Sequence, residues 1–238
     1  METATRKTIL IAHLALLGVA LIYGASFLIA KSAMQGAVPP RAFIQFRVTG
    51  AALLFWILLP VSGSDRIGRI PRKDVLRLLI CAAFGVTANQ LFFFEGLKIT
   101  TPVNASIMMV SGPIAVLIVG ALLVKERITT EKLIGILLGA FGAFWLIYSG
   151  NQFDLSGLFG NDVSRGNVFV LINATCYATY LVLVEPRISN YNALFVIRWG
   201  FTFGAFLVLP FGRPQIPEIP SALWLGPIIC ASVFAFLV

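Results

Sequence analysis

An all-α membrane protein with many spans is the fold class this sequence predicts, and three observations predict it. Charged residues make up only 12% of the 238, about half of what a soluble domain needs to cover its surface. Hydrophobic residues reach 58%, with a mean hydropathy of +0.92. The apolar residues fall into blocks of about 20, the length that crosses ~30 Å of hydrocarbon as a helix. The blocks are continuously apolar rather than alternating, which favours helices over the strands of a barrel.

Eight blocks follow in order, at 8–31, 41–61, 75–98, 101–124, 131–149, 166–185, 192–211 and 222–238. The first follows Arg6 and Lys7 and is longer than the ~7–15-residue core of a cleaved signal, so it reads as a retained span. Helix breakers mark the loops: Pro39-Pro40, Pro71, Pro102, Pro186 and the stretch from Pro214 to Pro220. The net charge of +8 sits in those loops, where orientation in a bilayer explains it better than nucleic-acid binding. On the N-terminal side lie 11 basic residues: Arg6, Lys7, Arg66, Arg69, Arg72, Lys73, Arg77, Lys125, Arg127, Lys132 and Arg187. The opposite side has five, Lys31, Arg41, Lys98, Arg165 and Arg213, and Arg47 and Arg198 fall within spans. The excess places the N-terminus in the cytoplasm, for a multi-pass protein of the plasma membrane. Cys81, Cys176 and Cys230 all lie in apolar blocks and read as small packing residues, not as a disulfide framework.

The halves echo each other. Tyr23-Gly24-Ala25-Ser26 in span 1 is matched by Tyr177-Ala178-Thr179-Tyr180 in span 6, at an offset of 154. Spans 2 and 7 carry Arg47 and Arg198 at the same depth and end in Pro60 and Pro210. Gly85-Val86-Thr87-Ala88 in span 3 corresponds to Ala231-Ser232-Val233-Phe234 in span 8. An odd number of spans separates the copies, so the second must cross the membrane in the opposite sense. Inverted repeats of this kind build many secondary transporters, with the substrate near the midplane.

From Gly85 to Gly150 the chain resembles the EamA-type domain of the drug/metabolite transporter superfamily. The resemblance is carried by Asn89-Gln90, Phe93 to Leu97, Thr100-Thr101-Pro102, Asn104-Ala105-Ser106, Pro113, Glu126 and Gly135 to Gly142, with Tyr23-Gly24, Pro39-Pro40 and Arg47 upstream. It implies ten helices in two inverted five-helix repeats, transport of small metabolites, and no catalytic chemistry. On that plan residues 1–150 form a first repeat, 151–165 an external linker containing Asp154 and Asp162, and 166–238 a partial second repeat, with about eight of ten helices present. Val238 aligns with Phe92 at an offset of 146, so the second copy stops in its third helix. The chain reads as truncated or as a fragment, expected to be poorly stable and inactive by itself.

Polar groups inside hydrocarbon are costly unless partnered, and so are default candidates for function. Asn89 and Gln90 lie near the middle of span 3, and Ser111-Gly112-Pro113 near the middle of span 4. Pro113 donates no hydrogen bond and frees the Met109 carbonyl. Asn173, Tyr177 and Tyr180 share a face of span 6, and Tyr23 and Ser26 a face of span 1. These nine residues are candidates for a substrate cavity; interhelical bonding that only holds the bundle together is the alternative. Arg47 and Arg198, each about 9 Å inside a span, either bind an anionic substrate or reach out to the headgroups. Glu95, three residues before Lys98, reads as its ion-pair partner at a helix end, or as a coupling carboxylate. Glu126 joins a gate or stays a solvated loop residue. Gly135, Gly139 and Gly142 offer a close-packing face.

Other chemistry finds little support. His13 is the one histidine, so a histidine metal cluster is excluded and a Ser–His dyad would depend on it. Asn104-Ala105-Ser106 and Asn173-Ala174-Thr175 lie within spans, away from glycosylation. The phosphate-binding pattern of an ATP-driven pump does not occur. No metal or cofactor is expected. The expected partners are the bilayer and a small-molecule solute, with self-association left open. The reading is a secondary transporter, more in the sense of an exporter, of small organic metabolites working by alternating access. A non-transporting membrane subunit and an intramembrane enzyme are the alternatives.

Overall fold

The computed structural model describes residues 6–36, 38–57, 72–125, 129–149, 162–188, 191 and 193–213. Among them the ordered elements are all helical. Helix α1 runs Arg6–Gly36 and α2 Pro40–Ile57. Pro40 opens α2, where a missing N–H costs nothing. Helix α3 (Arg72–Ala82), a π-helical segment (Ala83–Ala88) and α4 (Asn89–Ile99) form one apolar rod. Thr100 turns extended; Thr101 then caps α5 (Pro102–Met109) by accepting the Asn104 N–H at 3.1 Å.

Pro113 has no N–H to give the Met109 carbonyl. The chain tightens there into i→i−3 bonds, Val110 to Ile107 and Ser111 to Met108, both 3.0 Å, before α6 (Gly112–Leu123) resumes. Lys125, just past α6, takes a left-handed φ of 55°, a conformation that often ends helices. Helices α7 (Thr130–Ser149), α8 (Asp162–Ile188) and α9 (Ala193–Gly212) follow.

Among the described residues, four helical stretches are long and apolar enough to cross a bilayer: Asp74–Ile99, Pro102–Leu123, Ser164–Val184 and Leu194–Gly212. They coincide with the predicted spans 3, 4, 6 and 7, while α1, α2 and α7 occupy the other predicted blocks before 150. The predicted span 222–238 and Glu126 lie outside the described residues. Large apolar side chains point outward, as lipid contact requires: Leu10, Leu14, Leu17 and Leu21 on α1, and Leu133, Leu137, Phe141 and Trp145 on α7.

Two antiparallel pairs organise the bundle. Helix α4 with the π segment runs against α8. Thr100 donates to Asn167 at 2.7 Å, Phe92 meets Phe169, Asn173 donates to the Asn89 carbonyl at 2.8 Å, and Gly85 lies on the Tyr180 ring. Gly96 and Gly166 permit the closest approach: a Cβ on Gly166 would lie 2.8 Å from Thr100 and 2.9 Å from the Gly96 carbonyl. Helix α2 runs against α9 in the same sense, from the Gln45–Gly212 contact at one end to Trp56, which donates to Thr202 at 3.0 Å, at the other.

The buried core falls into two clusters. The larger joins Phe43, Ile44, Val48, Phe94, Leu97, Val170 and Val208; the smaller joins Leu78, Cys81, Val184, Phe195 and Val196. Near the larger one, polar contacts tie the ends of α1, α2, α4 and α8. The Lys31 ammonium donates to the carbonyls of Leu97, Lys98 and Thr100, each at 2.7 Å, and Arg41 pairs with Glu95 at 2.6 Å. Near the smaller one, the Tyr191 hydroxyl donates to Asp74 at 2.6 Å. The molecule thus has a Lys31–Arg41–Glu95 pole and an Asp74–Tyr191 pole.

Candidate functional site

A cavity of about 640 Å³ opens between the clusters. Its wall is built from five directions. The rod of α3, the π segment and α4 supplies Leu78, Cys81, Gly85, Asn89 and Gln90; α2 supplies Arg47 and Phe55; α5 supplies Met109; α8 supplies Tyr177 and Tyr180; α9 supplies Leu194, Val196, Ile197, Gly200 and Phe201. The π turn, a wide winding that recurs at functional sites, ends where Asn89 and Gln90 begin. Gly85 within it presses on Tyr180: a Cβ there would come within 2.5 Å of the ring, so only glycine lets the tyrosine lie so close. The Tyr177 and Tyr180 rings stand 5.9 Å apart.

The wall is mostly apolar, with few polar groups, the usual make-up of a small-molecule site. The Gln90 Oε1 atom is buried with no hydrogen-bond partner among the described residues. Such an atom forgoes the water it had when unfolded, at a cost to stability. Arg47 lies with its guanidinium 5.2 Å from the centre of the Phe94 ring; this cation–π contact holds a charge at the edge of the larger cluster.

A second cavity of about 670 Å³ lies between α5–α6, α7 and α8. Pro113 is on its wall, as are Met109 and Tyr177, which it shares with the first.

Of the nine cavity candidates, Asn89, Gln90, Tyr177 and Tyr180 line the first cavity and Pro113 the second. Two others have different partners. The Ser111 hydroxyl donates to the Met108 carbonyl at 2.6 Å, closing the turn before α6. Asn173 is buried and spends its amide on Asn89, bridging α8 to α4. The side chains of Tyr23 and Ser26 lie outside the described residues.

The arginines part company. Arg47 lines the cavity. Arg198 is buried between Trp56, at 4.9 Å, and Phe195, at 5.6 Å, away from the cavity wall. Glu95 corrects the sequence reading: its ion pair is with Arg41, not Lys98. The i,i+3 spacing pointed to a neighbour on the same helix, but α2 places a guanidinium across from the carboxylate. A Cβ added at Gly135, Gly139 or Gly142 would meet no atom within 4 Å, so close packing does not occupy that face among the described residues.

Sequence reasoning missed two features of this region. Phe55 and Phe201, with ring centres 5.5 Å apart on the cavity wall, are lost among 20 phenylalanines. Lys31 read as a loop cation, whereas it caps the end of α4.

The fold and cavity define a multi-pass helical membrane protein with an internal, partly polar chamber. Residues 10–148 match the EamA-like transporter family, more than half of the chain, and the chain belongs to that family, one of transporters rather than enzymes. It is 24% identical over 217 residues to the uncharacterized transporter YyaM of Bacillus subtilis strain 168, covering 89% of this chain and 70% of that protein. It is 29% identical over 235 residues to an uncharacterized transporter of Archaeoglobus fulgidus, covering 95% and 78%. A solved crystal structure superposes with a TM-score of 0.62 at 21% identity, over 94% of this chain and 79% of the other; that likeness is one of fold.

Proposed function

We propose that the protein is a secondary transporter that exports small organic metabolites across the plasma membrane by alternating access. The observation that carries the reading is the cavity set between two poles, with the polar contacts of Lys31, Arg41–Glu95 and Thr100–Asn167 gathered at one of them. The architecture proposed is two inverted five-helix repeats, with 1–150 as the first, 151–165 as an external linker and 166–238 as part of the second. The antiparallel pairing of α2 with α9, counterparts as spans 2 and 7, supports it, since an inverted copy reverses a helix against its counterpart.

The N-terminus is proposed to be cytoplasmic. Of the five basic residues assigned outside, Lys31, Arg41 and Lys98 meet at one pole, and Arg165 and Arg213 adjoin Gly166 and Gly212 there. In that orientation the closed pole faces outward, while the cavity reaches Leu78 and Leu194 toward the Asp74–Tyr191 pole and the cytoplasm. A solute loads from inside; release outside requires the Arg41–Glu95 and Thr100–Asn167 contacts to part. Opening one pole while the other holds is the gating that transport needs.

The test is efflux from cells producing the protein, normalised to its abundance in the membrane. Gln90→Leu and Tyr177→Ala should each lower efflux per molecule while abundance holds. Unchanged efflux per molecule in both variants would remove the cavity from the transport path.

A further inference from the structure

We infer that the π-helical segment Ala83–Ala88 is a hinge, about which α3 swings against a stationary α4 to open and close the mouth of the cavity. That mouth is cytoplasmic on the proposed reading of the cavity as the solute's path.

The winding comes first. The rod from Arg72 to Ile99 changes from α to π and back at mid-length. Beside it, α8 and α9 stay α-helical throughout, from Asp162 to Ile188 and from Ala193 to Gly212. A π turn carries one residue more than the α winding on either side, and such turns are where helices bend.

The two halves of the rod have different anchors. Helix α4 is tied to three neighbours. Lys31 of α1 caps its end, Arg41 of α2 pairs with Glu95, and α8 holds both ends, through Thr100–Asn167 and through Asn173 on the Asn89 carbonyl. Asn173 is buried, and its bond falls on the first residue after the π turn. Helix α3 packs through Leu78 and Cys81 in the smaller cluster, and the Tyr191 hydroxyl holds its first turn at Asp74. The moving half is therefore α3, with Tyr191 as its latch.

Glycine seats the pivot on both flanks. Tyr180 of α8 lies on Gly85, and Val86 lies on Gly204 of α9; a Cβ on either glycine would stand 2.5 Å from its neighbour. Contacts this close hold the axis in place while the ends turn. Leu78 and Cys81 ride on the moving half, and Asn89 and Gln90 on the stationary one. The swing thus changes the mouth between α3 and Leu194 of α9 and leaves the polar part of the wall undisturbed. Helix α3 has 11 residues, a lever of about 16 Å, and a change of about 20° in bend carries its end through about 5–6 Å.

The test uses the chain with Cys81, Cys176 and Cys230 replaced by alanine, in lipid nanodiscs. Spin labels go on cysteines at exposed positions, Arg77 with Leu122 and Lys98 with Leu122, and pulsed electron resonance reads both distances. Tyr191→Phe releases the latch. The Arg77–Leu122 distance should then gain a second population displaced by up to about 5–6 Å, while Lys98–Leu122 holds. Gly200 lines the cavity, and a Cβ added there meets nothing within 4 Å, so Gly200→Cys reports access. Its labelling by the charged thiol reagent MTSET in inside-out vesicles should rise about tenfold with Tyr191→Phe, the scale of one charge-assisted hydrogen bond. Deletion of Ala83 returns the turn to α winding while both flanks keep their faces, and should suppress both responses. If the deletion fails to fold, the two distances in the undeleted chain decide. Equal shifts in both pairs mean that the rod moves as one body, and overturn the hinge. So does a shift in neither, or an undiminished response in a folded deletion variant. A swing that exposes Gly200→Cys only to reagent added outside would defeat the cytoplasmic loading of the proposed transporter and leave the hinge standing. Faster labelling from the cytoplasm with both distances unmoved would do the reverse.

Discussion

At the scale of single residues, the two cations near the ends of α1 and α2 do unequal work. Lys31 satisfies three carbonyls at the C-terminal end of α4, groups that no residue of that helix can reach and that carry the negative end of its dipole. Arg41–Glu95 is half exposed on the arginine side, where an ion pair contributes about 0–1 kcal/mol. Lys31→Met should therefore cost about 1.5–3 kcal/mol and Glu95→Gln much less, read as thermal unfolding in detergent. Equal losses would mean that the ion pair, not the cap, holds that pole. At the other pole, the hydrogen bond to Asp74, with burial second, raises the Tyr191 hydroxyl above its ordinary value. Its folded pKa lies above the unfolded one, so stability is unaffected below about pH 10 and falls as pH rises toward the folded value. Tyr191→Phe should be less stable at neutral pH by about 1–3 kcal/mol, leaving a buried carboxylate short of a donor, and should lose that alkaline component. A variant melting with the same pH profile above 10 would show that Tyr191 does not ionise with unfolding.

At the scale of helices, glycine divides into two roles that one substitution separates. Gly166→Ala would drive a methyl into Thr100 and the Gly96 carbonyl and should destabilise by about 1–3 kcal/mol. Gly139→Ala meets open space and should be neutral or stabilising by up to about 1 kcal/mol, since alanine is the better helix former. Thermal unfolding of the two variants side by side checks the pair, and a large loss for Gly139→Ala would reveal a partner on that face. The sequence pointed to Gly135, Gly139 and Gly142 for close packing and not to Gly166, because a small residue looks the same whether or not a neighbour takes up the space. Span lengths were legible for a firmer reason: about 20 apolar residues have one economical use. Gln90 and Tyr177 stood out because polar groups interrupt an apolar run. The π segment did not, since a ring of one extra residue leaves no mark in a continuously apolar stretch. Nor did the Arg41–Glu95 pair, whose members are 54 residues apart; local spacing favours the nearer lysine until the helices are placed.

At the scale of the whole molecule, the proposed orientation is one that fusion can test. A reporter after Arg72 should behave as cytoplasmic and one near Asp154 as external; reversal at both positions would invert the proposed topology. The charge bias was readable because loops and spans differ so sharply in composition, and the five external cations predicted from it share one end of the bundle. The arrangement of helices around the cavity was not readable. It depends on which faces meet, and Arg47 and Arg198, alike in depth along the chain, end in different surroundings: one on the cavity wall, one enclosed by Trp56 and Phe195.

On the proposed transport reading, the wall that the two cavities share sets how choosy the chamber is about size. Met109 and Tyr177 stand between volumes of about 640 and 670 Å³, and an unbranched methionine changes rotamer readily. On that reading a long tail passes from the polar room into the apolar one between Met109 and Tyr177, and the more pliable of the two, the methionine, sets the cut-off for bulk. Shortening it by Met109→Ala should extend acceptance to longer tails in a graded series of alkyl carboxylates, whereas Met109→Phe should truncate the series. An identical chain-length profile in both would mean that the two rooms never join.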